Sequence, residues 1–289
     1  MQNEGILCVL TGMEKSGTTF VSKLLAANPA IMCGFECGLL LSRVSDFHKV
    51  QPFYGWMSES TDIGHWGIRP EDMKTVCRAG SFRDAYSRIH RYAGRVGSER
   101  SRACFRDAKW IIDKTPKYIF HLEQVMEKID VPFIVIEKDI VHQYRSFQKR
   151  SIRMEDFLVA YSEYRCHLNA AQKRFPNRIL LVSYRRLLVD PDATMKEIYH
   201  FLNIPWYSKT SLHEFYKKTG MQRHGGLREH VSVNENEPAL PGWKKRLLRF
   251  FGRRPVSQLR MLLVGMPYWI ACKVAAKRCF DILCLRGKP

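Results

Sequence analysis

The stretch LTGMEKSGTTFVSKLL, residues 10–25, decides how the rest of the chain is read. Just before it, Ile6 to Leu10 (ILCVL) is an unbroken apolar run, which suits a strand covered on both faces of a parallel sheet. Gly12 and Gly17 then bracket a short polar loop. From Thr18 to Ala27 the sequence reads as a helix that closes on Asn28-Pro29. Strand, glycine loop and helix form a unit whose helix N-terminus attracts anions. The first N–H groups lack helical partners and sit at the positive end of the dipole. Backbone N–H groups at Ser16, Gly17, Thr18 and Thr19 are the expected contacts, with Lys15 adding a point charge.

The position of that lysine is informative. A nucleoside-triphosphate loop reads G-x-x-x-x-G-K-[ST], with the lysine after the second glycine. Here Thr18 follows Gly17, and the nearby lysine, Lys15, precedes it. Lys15 is therefore displaced from the β/γ-phosphate position and is placed to grip a bridging or leaving oxygen.

The strand–helix alternation continues. Trp110 to Asp113, Phe133 to Lys138 and Arg178 to Tyr184 read as strands. Helices are expected over Tyr118 to Ile129, from just after Lys138 to Arg150, over the long run from Met154, from Ala193 to Leu202, and around Leu212 to Lys218. This pattern predicts an α/β fold, a parallel sheet flanked by helices. Residues 43–106 are less regular, polar and aromatic, and are expected to form a variable insertion on the acceptor side. Residues 225–242, rich in Gly, Pro and Asn, suit a lid or connector. Ligands of such a sheet gather at the C-terminal ends of the strands.

Composition narrows the partners. The formal net charge is +19, so the chain attracts polyanions: nucleic acid, acidic polysaccharide, an anionic membrane face or phosphate-rich small molecules. Nine cysteines, none in C-x-x-C spacing and several inside apolar runs, suggest reduced thiols. No signal peptide or spanning segment is apparent, and a cytoplasmic location is expected. The ten histidines show no metal-ligand spacing. No nucleic-acid motif appears, and the aromatics do not interleave with the basic stretches.

The segment EKSGTTFVSKLLAANP resembles the 5′-phosphosulfate loop of the sulfotransferases that use 3′-phosphoadenosine-5′-phosphosulfate (PAPS), commonly [RK]-S-G-[TS]-[TS]. The continuation CGFE is similar to the tyrosylprotein and Golgi carbohydrate branches. The resemblance implies a P-loop NTPase-like sulfotransferase fold. It also implies PAPS as donor, adenosine 3′,5′-bisphosphate as product, and no metal. Lys15, Ser16, Gly17, Thr18, Thr19 and Phe20 would hold the 5′ end, and Glu36 would be the base. Glu36 lies among apolar and small residues, which raise a carboxylate's pKa unless it is paired, and a lysine-rich loop opposite could keep it ionised.

Further matches follow along the chain. In EKDIVHQYRSFQKR the 3′-phosphate would fall to Lys138, Ser146 and Arg150, the last two sharing a helix face. Lysine replaces the usual arginine at Lys138, and Ile140 replaces a proline; lysine keeps the charge but loses bidentate geometry. In IIDKTPKYIF, Lys114 would lie near the transferred group. Asp113 could alternatively be a triphosphatase's metal ligand, but that reading needs the missing loop lysine. In RILLVSYRRLLVDP, Tyr184 would contact the nucleotide, while Arg185 departs from an acidic position. HGGLREH could close over the phosphates through Arg223 or Arg228. The resemblance spans roughly residues 6 to 245, giving a sulfotransferase domain over residues 1–245.

The implied reaction moves a sulfuryl group to a hydroxyl acceptor, with a carbohydrate or glycolipid favoured. Lys15, Lys114 and Glu36 would be the catalytic residues. A magnesium-dependent P-loop kinase and a basic nucleic-acid-binding protein are the rivals. Residues 246–289 are expected to be a basic amphipathic extension. Residues 244–289 carry twelve Lys and Arg against one acid, Asp281. Within it, MLLVGMPYWIAC (Met261 to Cys272) is too short to span a bilayer and suits a helix lying on an anionic inner membrane face, or one packed on the core.

Overall fold

The computed structural model describes residues 5–58, 65–96, 105, 108–148, 150–207 and 240–253. Five strands form one parallel sheet in the order β2-β3-β1-β4-β5. They are β1 (Gly5–Thr11), β2 (Ile31–Met32), β3 (Trp110–Lys114), β4 (Phe133–Glu137) and β5 (Ile179–Ser183). The α-helices are α1 (Thr18–Leu25), α2 (Phe53–Ser58), α3 (Pro70–Cys77), α4 (Phe82–Tyr92), α5 (Leu122–Lys128), α6 (Ile140–Gln148), α7 (Met154–Arg174), α8 (Tyr184–Val189), α9 (Pro191–Phe201) and α10 (Gly242–Arg253).

The unbroken apolar runs are explained by two-sided burial. Successive strand residues point to opposite faces. Cys8, Leu10, Ile112, Ile134 and Ile136 pack with Val21, Leu24 and Leu25 of α1 and with Met195, Ile198 and Tyr199 of α9. Val9, Ile111, Phe133 and Val135 pack on the other face with residues of α3 to α7. Fully burying each such side chain stabilises by about 1.5–3 kcal/mol, so a polar substitution on either face of these strands is costly.

Several elements differ from expectation. The two-residue β2 at the sheet edge is too short to show a periodicity. The expected helix over residues 118–129 is a 3₁₀ turn, Pro116–His121, followed by α5. Residues 43–96 carry α2, α3, α4 and two 3₁₀ turns, Leu39–Leu41 and Val44–Lys49, flank its start. Phe47, Met57, Trp66, Met73, Val76, Tyr86 and Ile89 from this region are buried in the same core as the sheet. α10 crosses the expected boundary at residue 245 and seats Leu248 and Phe251 in that core. Arg223, Arg228, the helix around residue 212 and the Met261 to Cys272 segment lie outside the described residues.

Candidate active site

The chain leaves β1 for an edge strand, returns to β3, and later places β4 on β1's other side. The switch point is therefore at β1, and a sheet of this kind takes its ligands in the crevice beyond the strand ends there. The ends of β1, β3, β4 and β5 deliver the loop after Thr11, then Lys114, Lys138 and Tyr184 to that crevice.

The loop after β1 needs its glycines. Gly12 has φ 151°, and a Cβ on it would come within 2.6 Å of the Ile136 carbonyl oxygen. Gly17 has φ 105°, and a Cβ would meet the Tyr184 ring at 2.4 Å. Lys15, between them, also has positive φ, 64°, and is exposed. The Ser16 amide donates to the Met13 carbonyl at 3.1 Å, so it is not free for a ligand as expected from sequence. Gly17 is the N-cap of α1 and no side chain caps that helix, which leaves its first-turn amides to an anion. The Ser16 hydroxyl is buried and has no hydrogen-bond partner among the described residues, as a group awaiting a ligand would be. The cradle therefore fits a phosphosulfate or phosphate end.

Glu36 and Lys114 come together beside the loop. Their side chains lie 3.5 Å apart, Lys114 being 3% and Glu36 22% exposed. The ammonium group of Lys114 also sits 4.7 Å from the centre of the Phe35 ring. Burial raises the Glu36 pKa; Lys114 opposes the shift and Glu14 adds to it. The result is a carboxylate that holds its proton more tightly than an exposed glutamate yet faces a cation, the setting of a general base.

At the end of β4, Lys138 donates to the Ser146 hydroxyl at 3.2 Å, and its ammonium lies 5.2 Å from the Tyr184 ring centre. The Tyr184 ring also meets Phe20 edge-on, with centroids 6.3 Å apart. The structure thus gathers the loop, Phe20, Tyr184, Lys138 and Ser146 into one flank. Arg150 does not share a helix face with Ser146. α6 stops at Gln148, because Ser151 takes a positive φ of 56° and the Arg150 amide turns back to the Phe147 carbonyl. The Arg150 guanidinium instead pairs with Glu14 at 3.0 Å, both half-exposed. Arg185 is exposed, and nothing in the structure explains its departure from an acidic residue.

Asp113, the alternative metal ligand, is fully buried. It accepts hydroxyls from Thr115 at 2.7 Å, Tyr118 at 2.7 Å and Tyr86. Its oxygens are occupied by the fold, which removes it as a triphosphatase ligand. Among the described residues no group of three or more His, Cys, Asp or Glu side chains is gathered as metal ligands.

Sequence reasoning missed the residues that shape the ground around Glu36. Phe35 stacks on His65 with centroids 5.1 Å apart and meets Trp56 edge-on at 4.9 Å. The Trp66 indole donates to the Phe35 carbonyl at 2.7 Å. These contacts join positions far apart in sequence, and only the composition of residues 43–106, rich in aromatics, hinted at them.

The chain belongs to the sulfotransferase family, whose model matches residues 8–208. No curated protein matches it. Among solved structures it is similar to the sulfotransferase domain from the Synechococcus PCC 7002 olefin synthase. That match has a TM-score of 0.53 and 14% identity, and covers 88% of this chain and 97% of the other. The sulfotransferase domain from the curacin biosynthetic pathway is similar at TM-score 0.52 and 14% identity, covering 88% and 99%. At this identity the likeness concerns the fold: a parallel sheet flanked by helices, of the P-loop-like sulfotransferase type.

Proposed function

We propose that the protein moves a sulfuryl group from PAPS to a hydroxyl acceptor, with a carbohydrate or glycolipid as the acceptor class. The observation that carries this reading is the Glu36–Lys114 pair, 3.5 Å apart, at the end of the strand next to the lysine-shifted loop. The uncapped amides of Gly17, Thr18 and Thr19 and the buried Ser16 hydroxyl would hold the 5′ end of the nucleotide, with Phe20 and Tyr184 walling it. Bound there, the donor supplies an activated S–O bond to a good leaving phosphate. Lys15 neutralises charge on the departing phosphate oxygen. Lys114 neutralises charge around the moving group. Glu36 takes the hydroxyl proton as the acceptor oxygen bonds to sulfur. Such loose, in-line transfers rest mainly on positioning and electrostatics.

Phe35, beside Glu36, is 36% exposed and adds apolar surface on the acceptor side. Incubation with donor carrying a radiolabelled sulfuryl group and a panel of cell-surface glycans and glycolipids tests the reading. Label is expected in a saccharide-bearing acceptor. Transfer of phosphate from ATP, with no sulfuryl transfer to any acceptor, would replace it with the kinase reading.

Lys138 and Ser146 are assigned to the 3′-phosphate, with Arg150 in reach by exchanging its half-exposed Glu14 partner. Such exchange is cheap, since exposed pairs are worth about 0–1 kcal/mol. Ser146→Ala and Arg150→Ala are expected to weaken adenosine 3′,5′-bisphosphate more than adenosine 5′-phosphate, measured by calorimetry. Equal losses for both nucleotides would detach these residues from the 3′-phosphate.

We also assign the basic C-terminus to an anionic membrane face, with the protein peripheral on it. No helix among the described residues is long and apolar enough to cross a membrane. α10 supports a surface contact: Trp243 and Phe250 are 58% and 41% exposed on a helix with no acidic residue. Full-length protein is expected to float with vesicles containing anionic lipid at low salt, and a chain ending at residue 253 to float less. Equal flotation of the two would remove the tail from the contact.

A further inference from the structure

We infer that Asp113, Thr115 and Tyr118 are positioning residues that hang the Glu36 loop from the end of β3. The inference rests on Glu36 as the base proposed above. Residues 36–40 have almost no regular structure of their own, only the start of a 3₁₀ turn at Leu39. A loop of that kind must take its geometry from its neighbours.

The neighbours are arranged in two relays. The Thr115 hydroxyl donates to one Asp113 oxygen at 2.7 Å and accepts the Gly38 amide at 3.0 Å. The Tyr118 hydroxyl donates to the other Asp113 oxygen at 2.7 Å and accepts the Leu40 amide at 3.1 Å. Each hydroxyl has one proton to give. Burial pulls the Asp113 pKa up and the hydroxyls donated to it oppose the shift; in the ionised form they favour, the carboxylate can only accept, so it commits both protons inward. Both hydroxyl oxygens are thereby left as acceptors, aimed at amides two and four residues after Glu36. Tyr86 donates a third hydroxyl to Asp113 from α4. The anchor itself is fixed to the floor of the crevice. The Thr115 amide donates to the Leu10 carbonyl at 3.1 Å, and the Thr11 hydroxyl donates to the Thr115 carbonyl at 2.9 Å. One strand end therefore sets the phosphate loop, carries Lys114 and suspends the loop of Glu36.

Charge at Asp113 gives the arrangement a direction that a neutral residue would not. An asparagine keeps one acceptor and brings two donors, so at least one hydroxyl proton would be free to turn toward the backbone. The amide it then met would lose its acceptor. Misplacing a reacting group by about an ångström can cost on the order of 10²-fold in rate. The loss should fall on turnover, because none of these side chains lines the nucleotide flank.

The test compares Thr115→Val, Thr115→Ser, Tyr118→Phe and Asp113→Asn in the full-length protein. Thr115→Val is expected to lower kcat by about tenfold or more. Donor KM and the Kd for adenosine 3′,5′-bisphosphate should stay within about twofold of wild type. Thr115→Ser, which restores the hydroxyl, should recover most of the rate. Hydrogen exchange followed by mass spectrometry should show faster exchange in the peptide bearing Gly38 and Leu40 in Thr115→Val and Tyr118→Phe. Exchange there should stay at the wild-type rate in Thr115→Ser. Asp113→Asn should combine both effects; if it does not fold, the single hydroxyl variants carry the test. Wild-type turnover in Thr115→Val, a Ser variant as slow as Val, or a rise in donor KM matching the fall in kcat would overturn the inference. If the wild-type protein transfers no sulfuryl group, the functional reading fails. The exchange data then still decide the suspension of the loop, and equal exchange in all variants would overturn it.

Discussion

Lys15→Ala is expected to lower sulfuryl transfer by at least about 10²-fold while leaving the fold intact. Lys15 sits in a left-handed turn between two glycines, φ 64°, with its side chain exposed above the crevice. Nothing in the core depends on it, so its removal should not unfold the protein. Its charge is placed ahead of the second glycine, where a leaving oxygen rather than a terminal phosphate would lie. Its effect should be concentrated in turnover, because charge on that oxygen grows only as the bond to sulfur breaks. Single-turnover rates with saturating donor check this. A variant with near-normal rate would show that the loop is assigned wrongly.

Glu36→Gln is expected to bind adenosine 3′,5′-bisphosphate as the wild type does and to lose about 10²–10⁴-fold in rate. Glutamine keeps a carbonyl oxygen toward the buried Lys114 ammonium, so the substitution removes the base without leaving that cation bare. The pH profile gives a second check. Burial raises the Glu36 pKa, and the base acts in its ionised form. Rate should therefore rise with pH along an acid limb lying above the ordinary glutamate range, and activity should be lost as pH falls through it. In the glutamine variant that limb should vanish from whatever rate remains. An unchanged limb, or an unchanged rate, would move Glu36 to a structural role.

The sheet was readable because its physics is local. ILCVL and FIVI (Phe133 to Ile136) are apolar at every position, and the structure shows their alternate residues packing on opposite faces of a parallel sheet. The glycine loop was readable because strand, glycine spacing and helix agree. Lys114 followed from its motif, and the structure brings it to Glu36. What sequence could not show depends on long-range contact. Tyr86 meets Asp113 across 27 residues and Trp66 meets Phe35 across 31, so the framework around the Glu36 loop left no periodic trace. Arg150 shows the opposite error. A simple i, i+4 spacing suggested a shared helix face, but a positive φ at Ser151 marks where the chain leaves the helix, and the arginine turns to Glu14. The Ser16 amide was misread as a ligand contact, because the loop closes on its own Met13 carbonyl.

The most direct measurement of the central claim is calorimetric binding of adenosine 3′,5′-bisphosphate and of ATP with magnesium to the same full-length protein. A cradle built for a phosphosulfate nucleotide should bind the 3′,5′-bisphosphate tightly, and should lose that binding when Lys138 and Ser146 are both replaced by alanine. Tight binding of ATP with none of the 3′,5′-bisphosphate would contradict the account and assign the crevice to a nucleoside triphosphate.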